Sequence, residues 1–152
     1  MNSNNENFSK VACMDEVFLF VKKEIWQEYR FDEKIFKDFH FYDTDFSVAI
    51  AQKYQNYVYF EMDVYHLSPG YVEKTYCENM YLFQKKWRNR LPYCLPGYKF
   101  SFQGESRMAN DMVSLYRKNG FSKIEIFKRI YKVNGILFFM YFLVKRIKNK
   151  FS

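Results

Sequence analysis

At 152 residues, with 49% apolar and 22% aromatic content, the chain is long enough for one domain with a substantial core and too apolar to be disordered. Its three cysteines, Cys13, Cys77 and Cys94, are odd in number and too widely spaced for a zinc knuckle or a redox pair; this argues against a disulfide framework and points to a reducing, cytoplasmic setting. The net charge of +7 is unevenly laid out: from Ser114 to Ser152 ten Lys or Arg face one acid, Glu125, while the remainder holds 14 bases against 16 acids, a near-neutral body with a basic appendage rather than a nucleic-acid groove.

Residues 1–13 contain no apolar signal core and are expected to be a solvated tail. Val17 to Val21 (VFLFV) is a continuous apolar run closed by Lys22 and Lys23, the pattern of a strand buried on both faces of a largely parallel sheet. One or two short helices are predicted between Glu24 and Phe36, where Ile25, Trp26 and Tyr29 fall at helical spacing. The next helical face comprises Phe46, Ala49, Ile50 and Tyr54, with Asp43 or Thr44 as its expected N-cap. From Tyr57 to Tyr65 the period changes to two, so that Val58, Phe60, Met62 and Val64 share one side of a predicted strand with one face in the core.

Ser68-Pro69-Gly70 marks a turn, and Tyr76, Met80, Phe83 and Trp87 predict a helix within residues 71–90, stopped at Leu91-Pro92. Strand, helices, strand and helix in alternation read as α/β. Residues 92–104 read as a linker. Residues 105–152 read as a basic helical tail, with helices near 105–118, 122–133 and 136–149.

The chemistry-bearing candidates are few. Asp43 and Asp45 stand at a helix start, where carboxylates cap backbone N–H groups and complement the helix dipole; alternatively, Asp43 projects into a cleft and takes a proton from an attacking hydroxyl, supported by Asp45. His66 ends the second predicted strand. It is either a structural histidine bonded to a backbone carbonyl or a metal ligand, and both it and Asp43 could open onto one cleft at the sheet edge. His40 reads as ordinary packing or solvent exposure, and no Cys or second His completes a metal site by spacing.

The run from Val17 to Gly70 resembles the second half of family 2-type glycosyltransferases, in particular the group whose domain is named after the streptomycin-biosynthesis StrF protein. Three parts carry the likeness: a strand followed by KKEIW and FDE, the stretch FHFYDTDFSVAI, and DVYHLSPG. The likeness covers residues 14–91 and rests on the order of the three parts rather than on any one of them. It implies an incomplete nucleotide-diphospho-sugar transferase (GT-A-like) fold, the acceptor-side half of a mixed sheet with flanking helices.

The resemblance further implies that Asp43 is the base that deprotonates the acceptor hydroxyl, that Asp45 and Tyr42 support the acceptor or the motif, and that His66 helps hold a divalent metal, Mn or Mg, on the nucleotide-sugar donor. Tyr42 stands where many relatives have Glu. Such enzymes begin with a nucleotide-binding half several elements deep, and here only residues 1–16 precede the first predicted strand. The expectation is therefore the C-terminal portion of a glycosyltransferase serving polysaccharide or glycoconjugate synthesis, truncated, split or decayed. It would be inactive without a donor-binding partner half. The alternative is a non-catalytic accessory module that binds a partner chain or a membrane.

Ile136 to Val144 (ILFFMYFLV) is too short to span a bilayer. Followed by Lys145, Arg146, Lys148 and Lys150, it suits either peripheral contact with anionic lipid through residues 134–152 or packing on the sheet with the bases solvated. Nucleic acid is not expected as a partner, because the aromatics follow core periodicities and the bases avoid them.

Overall fold

In the computed structural model the described residues are 6–14, 17–67, 70, 72–91, 93–97 and 101–151, with backbone alone described at 102, 136, 137, 142 and 145–151. The chain is mixed α and β, about half helical, with one small antiparallel sheet. It divides into two compact units, Met1–Tyr71 with Tyr93–Tyr98, and Val72–Pro92 with Lys99–Ser152.

The first unit contains β1 (Phe8–Val11), α1 (Lys23–Glu28), α2 (Tyr42–Ile50) and β2 (Asn56–Tyr59). Residues 8–11, expected in a solvated tail, pair antiparallel with β2 in the register Phe8 to Tyr59 through Val11 to Asn56. The Phe8 and Tyr59 rings sit 4.8 Å apart across the ladder, the kind of cross-strand pair that stabilises a short hairpin-like sheet. Asn56 ties this sheet to α2. Its side-chain amide donates to the Ser47 carbonyl at 2.9 Å and to the Ala12 carbonyl at 3.3 Å. The buried Ser47 hydroxyl accepts the Met14 N–H at 3.0 Å.

Helix α2 turns Phe46, Val48 and Ile50 into the unit's core. It starts earlier than the spacing predicted, and no side chain caps it: the residue before it is Phe41, held at φ 68°, a left-handed conformation that costs a bulky residue about 1 kcal/mol or more. Helix α1 closes on the far end of α2, where Glu28 pairs with Lys53 at 2.9 Å and accepts from the Tyr54 hydroxyl at 2.9 Å. Tyr93 returns to the unit and donates to the Ala51 carbonyl at 2.8 Å.

Two expected strands are corrected. Val17–Val21 is irregular, with Val17, Phe18 and Phe20 exposed, Phe20 by 74%; an apolar run needs neighbouring strands on both sides to become a central strand, and among the described residues β1 and β2 pair only with each other. Of the alternation over 57–65 only Tyr57, Val58 and Tyr59 are strand, at the end of β2, in which Asn56 alone is buried. Val58, Met62 and Val64 share a parity and all remain exposed. The predicted turn at Ser68 and Pro69 lies outside the described residues.

The second unit contains α3 (Lys74–Lys86), α4 (Phe102–Lys118) and α5 (Lys123–Phe151). The segment expected to be a linker already carries the start of α4, where the Ser101 hydroxyl accepts the Gly104 N–H at 3.0 Å. Helix α4 buries Ala109, Met112, Val113 and Tyr116, a three-and-four spacing that makes one apolar stripe. It ends in a Schellman turn: Gly120 at φ 80° lets Phe121 N–H reach the Tyr116 carbonyl and Gly120 N–H the Arg117 carbonyl, both at 3.1 Å. A capping box follows at once, Ser122 and Glu125 each accepting the other's backbone N–H, at 3.3 and 2.9 Å.

Helix α5 is helical on both sides of Gly135, which sits at φ 78°, ψ 176°. The break returns Phe139 to within 6.2 Å of Phe127 and 5.7 Å of Tyr131, ring centre to ring centre, whereas a straight helix would separate residues 127 and 139 by about 18 Å along its axis.

Charge follows the two units. The first holds seven Lys or Arg against twelve Asp or Glu, net −5; the second holds seventeen against five, net +12. The basicity expected of a C-terminal tail thus belongs to a packed helical unit that also includes α3, joined to α4 and α5 by named contacts. Gln84 donates to the Met112 sulfur at 3.1 Å, and Arg129 pairs with Glu78 at 2.7 Å.

Candidate functional site

A cleft in the first unit has a volume of about 580 Å³ and is lined by Val17, Phe18, Leu19 and Val21, by the rings of Trp26, Phe31, Phe39 and Tyr42, and by His66. Each part has a local cause. Helix α1 presents Trp26, 37% exposed, with its ring edge-on to Phe31 at 5.2 Å and to the buried Phe46 at 5.6 Å. Phe31 meets Tyr42 at 5.0 Å, so one chain of edge-to-face contacts fixes the floor of the cleft. The Arg30 guanidinium lies 4.7 Å from the centre of the Trp26 ring, a cation–π contact that adds to its positioning.

The left-handed turn at Phe41 leads straight into Tyr42 at the start of α2, and the exposed Phe39 ring lies 6.1 Å from the Tyr42 ring. The run 17–21, unable to enter a sheet, forms an apolar wall instead. His66 reaches the cleft from the exposed segment that follows β2.

The structure therefore brings Tyr42 and His66 together on one cleft. Asp43, one residue on, is not among the lining residues. It is 7% exposed, and its Oδ1 accepts the Thr44 N–H at 2.7 Å and the Thr44 hydroxyl at 3.4 Å. Asp45 is buried within the first turn of α2, and its own N–H donates to the Phe41 carbonyl at 2.9 Å. Both carboxylates sit where the positive end of the helix dipole favours them. Helix geometry explains the divergence: neighbouring positions differ by about 100° around the axis, so Tyr42 and Asp43 cannot face the same way.

The residues present do not fit a resident divalent metal. Among the described residues no group of three or more His, Cys, Asp or Glu side chains lies together, and one imidazole without carboxylate company is a poor donor set for a hard cation such as Mg or Mn.

Sequence reasoning missed the aromatic lining. Spacing places Trp26 on a helical face and the apolar run places Phe18 in a strand, and both line the cleft instead. The available signal was the density of rings in FDEKIFKDFHFYD, a stretch in which they follow neither a period of two nor one of 3.6.

No family model, no curated protein and no solved structure matches the chain. The functional reading rests on the cleft itself.

Proposed function

We propose that this chain is a binding module whose aromatic cleft takes a saccharide, the acceptor-side role that the glycosyltransferase resemblance implies, and that it does not transfer sugar by itself. The observation that carries the reading is the lining: four described aromatic rings linked in a chain of edge contacts, Tyr42 among them, with His66, around about 580 Å³ of open cleft. A pyranose has a flat face of C–H groups that packs on such rings, and a hydroxyl rim that pairs with a phenol and an imidazole. A mostly apolar pocket with a few directed polar groups is the usual form of a small-ligand site.

Catalysis would need a carboxylate within hydrogen-bond reach of the acceptor hydroxyl. Asp43 holds the Thr44 N–H instead, in the first turn of α2. The test is titration of the full chain with an oligosaccharide panel while following tryptophan fluorescence. Saturable binding is expected, weakened at least tenfold by Trp26→Ala and by the exposed His66→Ala, with no nucleotide released from any nucleotide-sugar. A panel without saturable binding, or affinity indifferent to both substitutions, refutes the reading.

A second reading has its own support. Val17, Phe18 and Phe20 leave an apolar run uncovered in the first unit, as a chain that docks a donor-binding partner half would. On that reading, joining a nucleotide-binding half restores sugar transfer, and Asp43→Asn abolishes it while folding survives; transfer retained in that variant removes Asp43 from the role of base.

A further inference from the structure

The solvent-facing residues of α5 mix apolar and basic side chains. Ile126 and Ile130 point into the second unit, and at helical spacing on the other side stand Ile124, Lys128 and Lys132, all exposed, Ile124 by 67%. Beyond the Gly135 bend the same mixture continues with Met140, 54% exposed, and Val144. Lys145, Arg146, Lys148 and Lys150 follow in sequence, and α5 contains one acid, Glu125, which is occupied by the capping box with Ser122.

We infer that the exposed apolar and basic residues of α5 dock on an anionic phospholipid surface. The unit that bears them has a net charge of +12, which supplies attraction to a negative leaflet at about fivefold in affinity per lysine near the surface. The apolar members decide between polyanions. Ile124, Met140 and Val144 gain nothing from a phosphodiester backbone, but they suit the boundary between headgroups and acyl chains, where lysines extend along their stems to keep their charges in water. No described helix is long and apolar enough to cross a membrane, so the contact is a peripheral one. The inference concerns the second unit and is independent of the saccharide cleft in the first.

The test is co-sedimentation of the full chain with vesicles of phosphatidylcholine alone and of phosphatidylcholine mixed with phosphatidylglycerol. Binding is expected only to the anionic vesicles and is expected to fall as salt rises. Lys128→Gln with Lys132→Gln should weaken it about thirtyfold, and Ile124→Ser with Met140→Ser and Val144→Ser should weaken it again; all five positions are exposed, so the fold should tolerate the changes. Should a variant lose its helical circular dichroism, the lipid and salt dependence of the unaltered chain still decides. Equal binding to neutral vesicles, no binding to anionic ones, indifference of folded variants, or displacement from vesicles by a tighter-binding oligonucleotide would each overturn the assignment.

Discussion

Arg129 donates from a single nitrogen to both carboxylate oxygens of Glu78, at 2.8 and 2.7 Å, and thereby binds α5 to α3. The same guanidinium lies 4.6 Å from the Phe121 ring centre and 4.7 Å from that of Tyr81, so three elements meet on one planar cation. Arg129→Ala should lower stability by about 2–3 kcal/mol in urea unfolding, below the cost of breaking a fully buried pair because Glu78 is 41% exposed. Arg129→Lys should recover less than half, since an ammonium cannot stack on two rings. A loss under 0.5 kcal/mol for the alanine variant would show that packing alone joins these helices.

Burial pushes the Tyr116 phenol up from 10.0 to about 12, against the pull of the Arg129 charge. The unfolded chain therefore releases this proton first as pH rises, and stability that is complete below pH 10 declines between pH 10 and about 12. The slope from this one group approaches 1.4 kcal/mol per pH unit. The buried hydroxyl has no partner at good hydrogen-bond geometry, although the Arg129 guanidinium is near it, so Tyr116→Phe should be close to neutral at pH 7 and should flatten that part of the profile. Chemical denaturation at pH 7, 10 and 11 measures both effects.

Asn56→Ala removes donors to Ser47 and Ala12 from a buried position. Two carbonyls lose partners, and about 2 kcal/mol should be lost from the first unit. The measurement is hydrogen exchange: amides of β1 and β2 should lose protection in the variant while those of α4 and α5 keep theirs. Uniform loss across the chain would mean that the two units unfold as one.

Gly135 occupies a backbone region that is nearly exclusive to glycine. Gly135→Ala should either cost about 1–3 kcal/mol or straighten α5, and spin labels at positions 127 and 139 separate the outcomes. A label distance unchanged together with unchanged stability would contradict the bend.

Helices were the legible part of this fold, because their signals are local. Phe46, Ala49 and Ile50 announced α2, and Gly135 fell between two predicted helices and does divide α5. The strands failed for a non-local reason: Val17–Val21 and the alternation over 57–65 both describe surfaces that want neighbours, and a sequence does not say whether the neighbours exist. Phe8–Val11, short and mixed in polarity, became the partner strand without any pattern to mark it. Of the site, Tyr42 and His66 were legible as candidates and do share the cleft. The remaining rings were not, since an aromatic residue carries the same letter whether it fills a core or lines an opening. Asp43 shows the converse difficulty, because a carboxylate at a helix start satisfies the capping pattern and the catalytic one alike.

The segregation of sign between the two units bears on how the molecule behaves in a test tube. A chain with one acidic and one basic half is its own counterion, so separate copies attract one another when little electrolyte is present to intervene. Concentrated stocks should cloud on dialysis into water and clear on adding sodium chloride, and resins of either polarity should retain the protein at the same neutral pH.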